Sequence, residues 1–379
     1  MENKKRGSFS GGIGFVLAAA GSAVGLGNLW RFPYLAAQYG GGIFILVYII
    51  LALTFGFTLM TTEIAIGRKT KLSPTRAYGN IDKRFAFIGP ISFIIPVIIL
   101  PYYCVIGGWV IKYVTVFATG QDMAAADGLF FANFIGQEYA PLVFFFIFLG
   151  LTALIVVLGV EKGIEKVSKY LMPVLILLAI VICIYIMFIP GAGAGIKYYL
   201  LPDFSKFSFK TVCAAMGQMF YSLSIAMGIL YTYGSYIGKD VDLEKSTTQV
   251  EIFDTAIAML AGLMIIPAVF AFSGGNPDNL QAGPSLMFIT LPKVFASMGV
   301  GRLAGILFIL VLLAAVTSAI SLLETSVSTF QDELHWSRPK CCILMAAVML
   351  IIGTLSSMGY GVLSFIQIFG MACLDFFDF

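Results

Sequence analysis

Charge is what this chain has least of. Only 11% of its 379 residues are Asp, Glu, Lys or Arg, whereas an ordinary soluble domain carries about 25%. A water-facing surface for a chain of this size is therefore excluded. Histidine occurs once, at His335 beside Trp336. The six cysteines (Cys104, Cys183, Cys213, Cys341, Cys342, Cys373) fall mostly inside apolar runs, without metal-type spacing. This argues against a Cys/His metal centre and against a disulfide framework. No polar stretch is long enough for a separate soluble domain, so residues 1–379 read as a single transmembrane domain.

What fills the chain is apolar: 59% hydrophobic residues and a mean hydropathy of +0.96. Runs of about 20 apolar residues, each long enough to cross a bilayer, recur along almost the whole length. We read nine spans, at about 13–37, 41–67, 88–118, 141–160, 170–189, 211–237, 250–272, 303–330 and from 341 onward. The closing residues, Leu374 to Phe379, resemble the start of a tenth.

The few charges are unevenly placed. Lys and Arg cluster at Lys4, Lys5 and Arg6; from Arg68 to Arg84; from Lys162 to Lys169; at Lys239 and Lys245; and at Arg338 and Lys340. Alternate loops hold only Lys197, Lys206, Lys210, Lys293 and Arg302. By the positive-inside rule the N-terminus and the basic loops face the cytoplasm, as in a multi-pass protein of the inner (plasma) membrane. These clusters set orientation and do not bind nucleic acid. The basic start, apolar run and small residues at Ala20 to Ala23 also resemble a secretory signal. The apolar run continues past them, however, so the segment reads as a retained span.

Span 1 is the anomaly. Its middle holds Gly21, Ser22, Gly25 and Gly27, followed by Asn28 and Arg31. A helix that breaks at mid-membrane must line a cavity, because lipid offers its freed backbone groups no partner. Five spans later, the centre of span 6 (Tyr221-Ser222-Leu223-Ser224-Ile225-Ala226-Met227-Gly228) is rich in small and hydroxyl residues. Serines that bond back to their own helix would explain it alone. Its position opposite span 1 matches the paired broken helices of inverted-repeat transporters.

Other spans add isolated polar groups. Pro90, Pro96 and Pro101 predict kinks in span 3, and Tyr103 follows them. Glu63, near the end of span 2, reads as an anchor for exposed backbone amides rather than a substrate contact. Asp254 in span 7 is a functional candidate because a carboxylate in a membrane is costly. In span 8, Thr317, Ser318 and Ser321 form one hydroxyl face, which serves either close helix packing or a hard cation. Glu324 has no assignable role. An intramembrane enzyme is disfavoured, since Asp254 lacks a catalytic acid partner or a histidine.

With these segments in view the sequence resembles the neurotransmitter:sodium symporter family, bacterial amino-acid branch. The residues that carry the resemblance are AGSAVGLGNLWRFPY (Ala20 to Tyr34), YGGG (Tyr39 to Gly42), GQMFYSLS (Gly217 to Ser224), TYGSY (Thr232 to Tyr236), FITLP (Phe288 to Pro292), TSAIS (Thr317 to Ser321) and QDEL (Gln331 to Leu334). The resemblance implies an all-α, inverted-repeat bundle of leucine-transporter type, with helices 1 and 6 broken at mid-membrane. The first repeat would cover about 11–190 and the second about 211–379. Family members have eleven or twelve spans, so the second repeat is expected to be incomplete.

The implied function is sodium-coupled symport of a small amino acid, apolar or aromatic, by alternating access. The alternative is a truncated, transport-inactive member or a binding-only membrane protein. A substrate carboxylate would be held by the backbone N–H groups of Leu26 and Gly27 and by the Tyr103 hydroxyl. The side-chain pocket would include Ile99, Tyr221, Ser224, Met227, Ser318 and Leu322. One Na⁺ would sit by that carboxylate on the Ala23 carbonyl, Asn28, Ser222 and Asp254. A second would use the carbonyls of Gly21, Val24 and Ala314 with the hydroxyls of Thr317 and Ser318. Arg31, Gln218 and Asp378 match the family's outer gate, and Arg6, Tyr236 and Asp332 the inner one. Counted back from Pro267, Asp254 falls one position from the expected ligand and carries an acid where the family's residue is neutral. Its fixed charge is expected to replace the chloride that many animal relatives use. The partners are thus an amino acid, Na⁺ and the bilayer, with no nucleic acid; oligomeric state is left open.

Overall fold

The computed structural model describes residues 7–273, 284–299 and 301–378. The chain is almost wholly helical. Two helices open it: α1 (Gly12–Ala23) and α2 (Gly27–Gln38), which meet at a bend of 52°. Then come α3 (Gly42–Thr70), α4 (Ile88–Ala118), α5 (Ala140–Val157) and α6 (Val160–Met187). A second interrupted pair follows, α7 (Phe209–Ser222) and α8 (Ile229–Ser235). The bundle is completed by α9 (Leu243–Ser273), α10 (Gly301–Leu334) and α11 (Arg338–Met358). Short helices such as Pro74–Ile81, Ala192–Leu200 and Cys373–Asp378 cap the ends. The only strands among the described residues form a two-residue hairpin, Gln367–Ile368 with Met371–Ala372.

Among the described residues seven continuous helices are long and apolar enough to cross a membrane, and the bent α1–α2 pair makes an eighth such unit. α7 and α8 are shorter, and residues 223–228 between them adopt turns and bends. α10 is the central post: 78% of its most apolar window is buried, against 33% for α6. It packs along α4 and also touches α1, α6 and α11. The outer faces of α5 and α6 keep Leu154 and Leu177 exposed, as suits helices whose solvent is hydrocarbon.

Two features of local sequence position the site. Gly67 and Gly234 let α3 and α8 meet backbone to backbone. A Cβ on Gly67 would lie 2.1 Å from the Tyr231 carbonyl oxygen, and one on Gly234 would lie 2.5 Å from that of Ile64. Such small-residue contacts are how helices approach closely without a hydrophobic drive. The same face of α3 carries Glu63 to the α7–α8 gap.

The prolines leave the helix of span 3 unbroken. α4 runs uninterrupted from Ile88 to Ala118 with Pro96 and Pro101 inside it, and Pro90 lies in its first turn, where no hydrogen bond is lost. The buried stretch from Leu100 to Val110 holds the helix against its neighbours, so loss of single backbone bonds does not break it.

Candidate functional site

The two interruptions face each other in the core. At the first, α1 ends at Ala23 and Val24 turns extended, with ψ of 97°. α2 then opens with a π turn over Gly27–Arg31. Bulky rings press on this backbone, which explains its glycines. A Cβ on Gly25 would lie 2.6 Å from Ser318 Oγ and 3.0 Å from the Tyr103 hydroxyl, and one on Gly27 would lie 2.6 Å from the Tyr221 ring. At the second interruption Ser224 and Ala226 take positive φ, +56° and +66°, a conformation costing an L-residue about 1–2 kcal/mol. Glu63 Oε1 accepts the Ala226 N–H at 2.8 Å, so it anchors an exposed amide, as its place in span 2 implied.

Asn28 joins the interruptions. Its Nδ2 donates to Ser222 Oγ at 3.0 Å and to Asp254 Oδ1 at 2.7 Å, while its Oδ1 accepts the Gly25 N–H at 3.1 Å. The Ser222 hydroxyl also donates to the Asp254 carboxylate at 2.9 Å, and Tyr48 donates to Asp254 Oδ2 at 3.1 Å. Asp254 is fully buried. Among the described residues no cation pairs with it. A buried carboxylate in that position needs a positive partner.

A second oxygen cluster lies beside α10. Ser318 Oγ is 3.4, 3.1 and 3.3 Å from the carbonyl oxygens of Gly21, Ser22 and Val24. One hydroxyl proton cannot satisfy three acceptors, and these distances are long for O–H···O bonds. Thr317 stands against Gly21, with its Cβ 3.1 Å from where a Gly21 Cβ would be, and its hydroxyl donates back to the Ala314 carbonyl at 3.1 Å. Among the described residues no three His, Cys, Asp or Glu side chains cluster as metal ligands. Carbonyl, amide, hydroxyl and single-carboxylate oxygens remain, and that donor set fits a hard, weakly polarising cation such as Na⁺.

Between the clusters lies a small cavity of about 30 Å³. Every position expected to contact the substrate lines it, Leu26, Gly27, Ile99, Tyr103, Tyr221, Ser224, Met227, Ser318 and Leu322, and so do Ala23, Asn28 and Ser222 of the first expected ion site. The Leu26 N–H points to the Tyr103 hydroxyl at 3.2 Å, which puts an N–H and a phenol at one end of the cavity. Sequence reasoning missed Ser22, Ser321, Gly25 and Ile229 in the lining. The first two form a polar floor, where Ser22 Oγ donates to Ser321 Oγ at 2.7 Å and lies 3.4 Å from Ser224 Oγ. It also missed Tyr48, one of several hydroxyl residues in span 2 and the one that reaches Asp254.

The gate residues are brought together only in part. Arg31 lies over the Tyr221 ring, 5.0 Å from its centroid, and Gln218 Nε2 donates to the Gly27 carbonyl at 3.1 Å. Asp378 sits at the end of the Cys373–Asp378 helix, and no Arg31–Asp378 ion pair closes within 4.0 Å among the described residues. At the opposite end Tyr236 donates to Glu324 Oε1 at 2.6 Å, and Asp332 Oδ2 accepts the Ser73 N–H at 2.7 Å. Arg6 lies outside the described residues. Glu324 thus gains partners that sequence did not foresee: Tyr236 and, through a two-point ion pair, Arg338.

Two interrupted helices meeting at a small cavity flanked by oxygen clusters inside a membrane bundle define a class, the membrane transporters built on discontinuous helices. Comparison with known proteins gives the family. The profile of the Sodium:neurotransmitter symporter family matches residues 6–124 and 133–378. An uncharacterized sodium-dependent transporter of Bacillus subtilis, YhdH, is 35% identical over all of this chain and 84% of its own length. An uncharacterized sodium-dependent transporter of Methanocaldococcus jannaschii is 35% identical over 95% of this chain and 77% of its own. The crystal structure of MhsT in complex with L-phenylalanine superposes with a TM-score of 0.89 at 38% identity, covering 99% of this chain and 86% of that one. The chain belongs to the sodium:neurotransmitter symporter family. It is a multi-span membrane transporter of leucine-transporter-type fold and not an enzyme.

Proposed function

We propose that this protein moves a small amino acid, apolar or aromatic, across the membrane together with Na⁺. The observation that carries this reading is the pairing of an N–H and phenol end of the cavity with two adjoining clusters of oxygen atoms, one of them built on a buried carboxylate that no cation pairs among the described residues. The Leu26 and Gly27 backbone with Tyr103 would receive a carboxylate. Asn28, Ser222 and Asp254, with the Ala23 carbonyl, would hold one Na⁺. Gly21, Val24, Ala314, Thr317 and Ser318 would hold a second, and the closely placed Ser22 carbonyl adds a donor. The bound amino acid of MhsT supports the substrate class, and the apolar wall of Ile99, Met227 and Leu322 supports an apolar side chain.

Coupling of this kind is energetically sufficient. Each Na⁺ gains about 2.3 kcal/mol per 100 mV of membrane potential and about 1.4 kcal/mol per tenfold gradient. The basic-rich face would be cytoplasmic and the membrane the plasma membrane, so transport would run inward. The test is binding of a panel of labelled amino acids to the purified protein, with and without Na⁺. Sodium-stimulated binding of one or a few members is expected, and equal binding in potassium overturns the proposal.

Asp254 gives this reading a sharper consequence. A permanent carboxylate beside the first ion site supplies the negative charge that chloride would otherwise bring. Sodium-stimulated binding should therefore not change when chloride is replaced by gluconate. In Asp254→Ser it should fall at least tenfold in gluconate and recover in chloride. A mutant indifferent to chloride would remove Asp254 from this role.

A further inference from the structure

Three of the five cations in the basic-poor loops, Lys197, Lys206 and Lys210, crowd into one short segment, and the transport reading gives them no task. All three are exposed, and among the described residues none makes an ion pair. The segment is firmly built. Pro202 bridges to Gly41, and the Tyr198 hydroxyl donates to the Ala37 carbonyl at 2.6 Å. Lys206 is laid against the wall, its Nζ 4.9 Å from the centroid of the Tyr198 ring. Tyr198 in turn packs on Phe270, with ring centroids 5.2 Å apart.

Between Lys197 and Lys206 opens a groove of about 500 Å³ whose walls are Tyr198, Leu201 and Phe270. Asp203 also borders it, but its carboxylate is engaged by the Ser205 N–H at 3.0 Å and hydroxyl at 2.6 Å. Along the rim the chain exposes Leu200, Leu201, Phe204, Phe207 and Phe209, the last 80% exposed at the first turn of α7. Large apolar side chains beside lysines, at the mouth of a membrane helix, mark the depth of lipid headgroups. A ligand matching both halves has an anionic head and hydrocarbon tails.

We infer that this groove is a binding site for an anionic phospholipid, whose phosphodiester sits between Lys197 and Lys206 and whose acyl chains run along the Leu201, Phe207 and Phe209 side. The site is separate from the transport cavity and does not depend on which face is cytoplasmic. Lys210 adds positive potential at the rim.

The test uses the full chain purified from vesicles of equal phosphatidylglycerol and phosphatidylcholine, with retained lipid measured by mass spectrometry. Phosphatidylglycerol is expected in excess. Each lysine contributes roughly a fivefold preference for an anionic head, so Lys197→Gln with Lys206→Gln should remove the excess. Lys197→Arg with Lys206→Arg should keep it, and Lys293→Gln, on the same face but outside the groove, should leave it unchanged. Equal retention of the two lipids by the native protein overturns the inference. So does an undiminished excess in the double Gln variant, or loss of the bound lipid to inorganic phosphate alone, which would mark an aqueous anion pocket.

Discussion

Asn28→Ala is expected to abolish sodium-stimulated amino-acid binding, by a hundredfold or more, while the protein still inserts and purifies. The reason lies in what one amide does. Its nitrogen reaches Ser222 on α7 and Asp254 on α9, and its oxygen closes the turn at Gly25. Removing it leaves the Gly25 N–H and one carboxylate oxygen each short of a partner in a dry interior. A lost partner costs about 1–3 kcal/mol, more when the group is charged. That penalty falls on the ion site rather than on the fold, since α1 and α2 keep their packing against α9 and α10. Asn28→Asp is the informative companion. It keeps an oxygen but puts a second carboxylate against Asp254, so binding should fail there too, unless protonation at low pH restores it. Retained sodium-stimulated binding in Asn28→Ala would break the site assignment at its centre.

The second large effect concerns stability. Glu324 is completely buried on α10, and its carboxylate is held by the Arg338 guanidinium, whose Nη1 lies 3.0 Å from Oε1, and by Tyr236. Arg338 also donates from Nε to the Val156 carbonyl at 2.7 Å. It therefore ties α11, α10 and the end of α5 at one point. Arg338→Ala strands a buried charge, and breaking such a pair costs about 3–5 kcal/mol. A large fall in thermal midpoint in detergent is expected. Arg338→Lys should recover only part of it, because an ammonium cannot make the two-point contact. Arg338→Met combined with Glu324→Leu should be milder than Arg338→Ala, since no charge is left behind. A double variant as unstable as Arg338→Ala would show that shape, not charge, matters there.

Much of this arrangement was legible because lipid makes polarity expensive. Asn28, Ser222 and Asp254 stand out in apolar runs, and they prove to be hydrogen-bonded to one another. Glu63 was read as an amide anchor from its depth alone, and its partner is the Ala226 N–H. What sequence could not give is which way a hydroxyl turns. Ser321 and Thr317 lie on one helical face and both donate back to their own helix, yet only Ser321 also accepts a bond across the cavity, from Ser22. Tyr48 escaped because an aromatic hydroxyl passes as core until its partner on α9 is seen. Pro96 and Pro101 of α4 each remove a hydrogen bond, and the helix nevertheless runs on past them because its middle is packed on all sides. Register was also hidden, since π turns at Gly27–Arg31, Ala52–Gly56 and Val160–Glu165 each add a residue to a turn and shift any helical wheel drawn across them.

The six residues between α7 and α8 carry one more consequence. α9 beside them is a continuous 31-residue rod, so a push at one end is felt at the other. The α7–α8 linker is wound partly in the left-handed sense at Ser224, Ala226 and Gly228, and no run of helical bonds connects its two ends. Any twist of α7 relative to α8 is therefore taken up within these six residues. α3 spans the gap on one side: α7 packs on its first half, and α8 meets its second half backbone to backbone at Gly67 and Gly234. In mechanical terms the chain has set a universal joint beside two drive shafts.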